Sequence, residues 1–373
     1  MIQRILENKI RDAISINKVV VLLGARRVGK TTLMKSIVDS FADSKYINCD
    51  LLQNKEMLQT TNSELLFNFL GKYKFVVLDE AQSIKNIGEI LKIIHDTYPE
   101  IKIVATGSSA FYLNQQTGEP LTGRSRFYTM TPLSLEEVKN NTDILTINAQ
   151  IETILRFGLY PEVYNKNEQY AKEELENIAS NYLYKDILQF ENLKRPEILY
   201  NLLKLLALQV GSEVSLNELS NKIGTHVNTV KRYINLLEQN YVIFKLPAFS
   251  NNQRNEISKN NKIYFYDCGI RNAIINNFNP LSLRNDIGAL WENFFISERL
   301  KNNLNSKNNA KLYFWRNYQN KEIDLIEDYE GKLTLFECKY SPTKKVKIPT
   351  DFAEKYSNFE FNVISHDNYW KFL

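Results

Sequence analysis

Apolar positions fall along the chain in two rhythms. Short unbroken runs, Val19–Leu23 and Phe75–Leu78, and the stretch Ile101–Ala105 interrupted only by Lys102, have the length of strands buried on both faces. Two mixed segments, Lys45–Asp50 and Phe127–Met130, read as further strands. Helical stretches alternate with these runs, which predicts an α/β first domain over residues 1–140. A helical bridge follows: Ile151–Phe157, Glu168–Gln189 and Pro196–Val210. The last of these is apolar almost all round and hence buried, and Gly158–Pro161 makes a turn. Next comes a trihelical pattern. Ser215 caps Leu216–Lys222, Gly224 turns the chain, and Asn228 opens a helix to about Gln239. The alternating stretches Tyr241–Leu246 and Lys262–Tyr266 complete a winged helix-turn-helix over a second domain, 141–279. Residues 280–373 form a third, with an amphipathic helix Leu290–Leu300 and strands Lys311–Arg316, Lys321–Ile326 and Lys332–Tyr340.

Composition narrows the class without changing this picture. Of 373 residues 43% are hydrophobic and 24% charged, the balance of an ordinary soluble globular protein. No apolar run reaches membrane-spanning length, and the start M-I-Q-R-I-L-E-N-K-I is an amphipathic helix rather than a signal peptide, so no membrane is expected. Cys49, Cys268 and Cys338 lack pairing or metal spacing, which fits a reducing cytoplasm. Three histidines far apart in the sequence argue against a His-based metal site or triad. The net charge of +4 is concentrated: residues 195–279 hold ten Lys/Arg against six Asp/Glu. That excess points weakly to nucleic acid and equally well to a solvated surface.

The chemistry starts where the first apolar run ends. Gly24-Ala25-Arg26-Arg27-Val28-Gly29-Lys30-Thr31-Thr32 fits the phosphate-binding P-loop, with a strand before it and a helix after it. Its glycines let successive N–H groups face an anion. Lys30 supplies a mobile charge for the β- and γ-phosphates, and the Thr31 hydroxyl can ligate Mg²⁺. Asp79 and Glu80 close the Phe75–Leu78 run at the end where open α/β sheets bind ligands. Asp79 suits the Mg²⁺ hydration shell and Glu80 a general base for the attacking water. In Thr106-Gly-Ser-Ser-Ala110, Ser108 or Ser109 can sense the γ-phosphate. Arg124 or Arg126 can serve as an arginine finger toward a neighbouring subunit.

On these residues the chain resembles the AAA-type domain of the bacterial and archaeal "archaeal-type ATPase" group. The matching stretches are G-A-R-R-V-G-K-T-T, L-D-E-A-Q, T-G-S-S and L-T-G-R followed by T-P-L-S-L-E-E. The likeness continues through F-G-L-Y-P-E-V and N-Y-L-Y-K-D-I into that group's companion C-terminal domain. It implies an ASCE P-loop NTPase sheet, with one strand between the P-loop strand and the Asp79–Glu80 strand, and ATP with Mg²⁺ as ligand.

Beyond it, Val227, Val230, Ile234 and Leu237 make a buried stripe. Asn228, Thr229, Lys231, Arg232 and Asn235 face outward, a surface suited to double-stranded or structured DNA. In the last domain Glu337 and Lys339 share one face of a strand, Cys338 points into the core, and Asp324 stands on the paired strand. Carboxylates with a lysine form the set that binds Mg²⁺ and activates water for phosphodiester hydrolysis. Glu292, Asp324 and Glu337-x-Lys339 resemble the PD-(D/E)xK nuclease superfamily, which implies a mixed sheet flanked by helices, a restriction-endonuclease-like α/β domain. The proline expected before Asp324 is missing. A basic tail patch, Lys344, Lys345 and Lys347, fits a phosphate backbone or a solvated edge. The expectation is an ATPase coupled to DNA binding or processing. The alternative is an ATP-dependent switch for a protein partner whose nuclease-like domain is inactive. An arginine finger at Arg124 would predict a homo-oligomer.

Overall fold

The computed structural model describes residues 2–108, 120–182, 195–250, 260–306, 310–343 and 346–373. Ser109, Lys344 and Lys345 lie outside them, as does the expected continuation of the Glu168 helix beyond residue 182. The chain divides into two compact units, Met1–Leu133 with Gln239–Tyr241, and Ser134–Glu238 with Val242–Leu373.

In the first unit α1 (Leu6–Ser15) buries Leu6, Ile10, Ala13 and Ile14, the spacing of one helical face. It is followed by β1 (Val19–Leu23), α2 (Lys30–Val38), β2 (Ser44–Asn48), α3 (Leu52–Leu58) and α4 (Ser63–Leu70). Asn62 caps α4 by accepting the Glu64 and Leu65 N–H groups. Then come β3 (Phe75–Asp79), α5 (Ile87–Thr97), β4 (Lys102–Gly107) and β5 (Ser125–Thr129). The strands form one parallel sheet in the order β2-β3-β4-β1-β5. One strand, β4, thus separates the P-loop strand from the Asp79 strand, as the resemblance implies. Every residue of β1 and β3 is buried, the reason their sequences show no alternation.

The second unit opens with α6 (Leu135–Lys139), whose capping box joins Ser134 and Glu137. There follow α7 (Ile144–Phe157), α8 (Glu168–Asn177) with a π turn to Tyr182, and α9 (Pro196–Leu208). The helix expected from Ile151 starts a full two turns earlier because Asp143 caps it, accepting the Leu145 and Thr146 N–H groups. Then α10 (Leu216–Ile223) and α11 (Val227–Gln239) precede an antiparallel pair, β6 (Ile243–Leu246) with β7 (Lys262–Phe265). After α12 (Cys268–Ile274) the long α13 (Ile287–Asn305) leads into β8 (Lys311–Arg316), β9 (Glu322–Tyr329), β10 (Lys332–Cys338), α14 (Thr350–Lys355) and β11 (Phe359–Ile364). The sheet order is β11-β10-β9-β8; β8, β9 and β10 form an antiparallel meander and β11 joins β10 in parallel. Trp291 of α13, fully buried, donates its indole N–H to the Ile364 carbonyl at 3.2 Å and ties the helix to β11.

Within this unit the segments before and after residue 280 touch. Asn293 of α13 accepts the Phe265 N–H of β7 at 2.7 Å, and Lys262 and Tyr264 of β7 both bond Glu292, so residues on either side share one interior. The turn at Gly158 also acquires a reason. Buried Asp267 accepts the Leu159 N–H at 2.7 Å and the Ile270 N–H at 3.1 Å, and a Cβ on Gly158 would stand 2.0 Å from its Oδ1. Among the described residues no helix is long and apolar enough to cross a membrane.

Candidate nucleotide site and carboxylate cluster

The P-loop connects the end of β1 to the start of α2. Gly24 has φ +154°, and a Cβ there would lie 2.1 Å from the Met130 carbonyl oxygen, so no side chain fits. Gly29 at φ +98° and Arg27 at φ +61° complete the turn. Buried Arg4 donates to the Val28 carbonyl at 2.9 Å and to that of Thr131 at 2.6 Å, stapling the loop to the segment after β5. Ala25 and Val28 are buried, Arg26 and Arg27 half-buried. Lys30 donates to its own loop at the Gly24 and Ala25 carbonyls, 2.8 Å each. Thr32 lies on the outer side of α2 with Thr31, Lys35, Ser36 and Asp39, around an open recess of about 370 Å³.

Asp79 is the hub. Thr31 donates its hydroxyl to Asp79 Oδ2 at 2.8 Å, Tyr46 donates to the same oxygen, and Thr106 donates to Oδ1. Burial, reinforced by Asp79, raises the Tyr46 phenol. Burial likewise lifts the Cys49 thiol to about 12. Glu80 sits just past the strand in the left-handed region, φ 55°, with its N–H donated to Thr106 Oγ1 at 3.1 Å. Gln82 donates to both Glu80 Oε2 and Ser108 Oγ, linking the predicted base to the buried serine at the end of β4. Lys30, Thr31, Asp79, Glu80 and Ser108 thus gather at one edge of the sheet. The hard oxygens of Thr31 and Asp79 suit a Mg²⁺ ion.

Arg124 does not join them. It precedes β5 at the opposite edge, its carbonyl accepting the Val19 N–H at 3.0 Å, and its Nε donates to Asp96 at 2.8 Å. Five strand residues, about 16 Å at strand rise, separate that edge from the P-loop. A role for Arg124 on its own chain's nucleotide is therefore excluded by distance.

In the second unit, Glu292 from α13, Asp324 from β9, and Glu337 and Lys339 at the end of β10 come together. Lys339 donates to Glu337 at 2.7 Å and stands 3.9 Å from Asp324, which accepts the Cys338 N–H at 2.8 Å. Burial, then the charge of Glu292, lifts Asp324 to about 7; burial, then Asp324, lifts Glu337 to about 7. Carboxylate oxygens of Glu292, Glu322 and Asp324 lie within 4.8 Å of one another, a spacing that a single shared cation could bridge. Fully buried Lys262 donates to Glu292 at 3.1 Å and to Glu322, and Tyr264 donates to Glu292 at 2.6 Å. Burial alone would lower the Lys262 ammonium, but Glu292, Asp324 and Glu322 together raise it.

On α11, Asn228, Lys231 and Arg232 are exposed and Thr229 half-exposed, while Val230, Tyr233, Ile234, Leu236 and Leu237 are buried. Val227 is only half-buried, and Asn235 is engaged by Lys245 at 2.7 Å. Lys347 is exposed.

The sequence pattern does not single out Tyr46, Thr106, Arg4, Lys262, Tyr264 or Glu322 as site residues. Glu322 had a signal, since it precedes Asp324 by two and shares its strand face. Lys262 had none, because it arrives from a strand 62 residues earlier than Asp324.

Residues 16–139 match a family model described as AAA domain. Residues 148–281 and 287–368 match two models described as domains of unknown function, DUF8612 and DUF4143. An uncharacterized protein of Mycobacterium tuberculosis is 24% identical over 341 residues, covering 91% of this chain and 74% of that protein. One from Methanocaldococcus jannaschii is 24% identical over 352 residues, covering 86% and 75%. Among solved structures, a Walker-type ATPase of Pyrococcus abyssi aligns with a TM-score of 0.50 at 16% identity, over 74% of this chain and 96% of that one. That likeness is one of fold.

Proposed function

We propose that this chain, an AAA-type P-loop ATPase with a following C-terminal domain, hydrolyses ATP to ADP and phosphate and couples the turnover to DNA. The observation that carries the first half is the hydrogen bond of 2.8 Å from Thr31 to Asp79, which joins the P-loop to the carboxylate at the end of β3. N–H groups of the Gly24–Thr31 loop and the dipole of α2 receive the phosphates. Lys30 leaves the Gly24 and Ala25 carbonyls for the β- and γ-phosphate oxygens. Thr31 and Asp79 would hold Mg²⁺, which neutralises charge building on the phosphates when bound. Glu80 takes the proton of the attacking water, oriented by Gln82, with Ser108 beside the γ-phosphate. Lys30→Ala should abolish binding of a fluorescent ATP analogue. Glu80→Gln should keep that binding and slow turnover by roughly 10²–10⁴-fold; fast hydrolysis by this variant would remove Glu80 from the base role.

The DNA half rests on the order α9-α10-α11 followed by the β6–β7 pair, which reads as a winged helix, and on the open Asn228, Thr229, Lys231 and Arg232 of α11. It rests also on α13 followed by the β8–β10 meander with Glu292, Asp324, Glu337 and Lys339 clustered, the likeness to a PD-(D/E)xK nuclease domain. ATP turnover measured with and without double-stranded and forked DNA tests it: stimulation is expected. A second reading, an ATP-dependent switch for a protein partner with a silent nuclease-like domain, is favoured by the Lys262 ammonium among the acids. Turnover indifferent to every DNA would select it. An arginine finger at Arg124 would have to reach a neighbouring copy, so it predicts turnover per chain that falls on dilution.

A further inference from the structure

We infer that Lys262 is the built-in cation of the Glu292–Glu322–Asp324 set and keeps divalent cations out of it. Its side chain is 1% exposed, and its ammonium meets Glu292 Oε1 at 3.1 Å and Glu322 Oε1 closer still. A point within reach of both oxygens is where a divalent ion bridging them would sit, and two cations in one buried position repel strongly. The remaining lone pairs are also drawn off. Tyr264 takes Glu292 Oε1 at 2.6 Å, Arg316 stands 3.8 Å from Glu322 Oε2, and Lys339 stands 3.9 Å from Asp324 Oδ2. A hard divalent ion needs carboxylate lone pairs that are not already taken by such donors.

The lysine's base is also fixed: Lys262 pairs with Leu246 in the β6–β7 ladder and with Glu213 in an isolated bridge, and its buried side chain has no open path to solvent. Withdrawing it would leave Glu292 and Glu322 buried and uncompensated. The carboxylates therefore fasten β7 to α13 and β9 through an internal ammonium. The inference does not rest on ATP hydrolysis, and it stands or falls apart from it.

Mn²⁺ binding to the nucleotide-free full chain, followed by electron paramagnetic resonance, tests this. Wild type should show no site below millimolar Mn²⁺ that is sensitive to Asp324→Asn. Lys262→Met should gain one, roughly tenfold tighter or more, because three carboxylates lose their central cation. Adding Asp324→Asn to Lys262→Met should abolish it. A wild-type site that Asp324→Asn removes, or a Lys262→Met chain that binds Mn²⁺ no better than wild type, overturns the inference. Should Lys262→Met be too unstable to purify, its refolding yield reads the same quantity. Recovery rising with Mn²⁺ is expected, and recovery indifferent to Mn²⁺ overturns it.

Discussion

Gly158 has no room for a methyl group, since its Cβ would meet the buried Asp267 carboxylate at 2.0 Å, and its φ of +73° disfavours any side chain. Gly158→Ala should destabilise the second unit by more than about 2 kcal/mol, read as a lowered thermal midpoint with the P-loop's nucleotide affinity retained. Asp286 carries a pH prediction. Burial alone would raise its carboxyl, but Arg284, with two bonds of 2.8 Å, and Arg271 hold it at about 2. A carboxylate depressed in the folded state stabilises above its unfolded value near 4 and loses that contribution as pH falls toward 2. Asp286→Asn should therefore remove about 2 kcal/mol at neutral pH and flatten the acid limb of a denaturation curve between pH 4 and 2. An acid limb as steep as that of wild type would count against the pairing. Local chemistry of this scale is only partly legible in a sequence. Gly24, Lys30, Thr31, Asp79 and Glu80 announce themselves because one short motif holds each group. Tyr46 and Arg4 reach the same site from other elements, and only the sheet order and the entry of α1 bring them there.

Elements were legible where one physical demand fixed the sequence. Burial on both faces wrote β1 and β3 as apolar runs, and burial of one face wrote the stripe of α11. The start of α7 was missed because its first turn is held by the Asp143 cap while Leu145 points outward, so periodicity alone under-reads it. For α11 the exposed face gives a direct test. Replacing Lys231 and Arg232 together by glutamate should weaken DNA binding and lower its salt slope by about 2, one unit for each phosphate no longer neutralised. An unchanged slope would dissociate this face from DNA. Lys231 is exposed and Arg232 overlies the Tyr233 ring at 5.3 Å, so the unit's melting should fall by no more than about 1 kcal/mol.

Over the whole molecule, patterning located the chain's segments but not the cross-links between them. The two family matches meet between residues 281 and 287, within one compact unit, because side chains from β7 and α13 interlock there. No periodicity reports such cross-links, as they join positions far apart in the chain. A consequence for synthesis follows from the bond between Trp291 and Ile364. At roughly 5–20 residues per second, the indole emerges several seconds before its acceptor, since 73 positions separate them. Until β11 lies beside β10, the Trp291 indole N–H lacks its acceptor and β10 offers an open edge. The ATPase unit has its five strands within the first 133 residues and is complete but for Gln239–Tyr241 long before that. The docking of β11 thus closes that edge late relative to the ATPase unit.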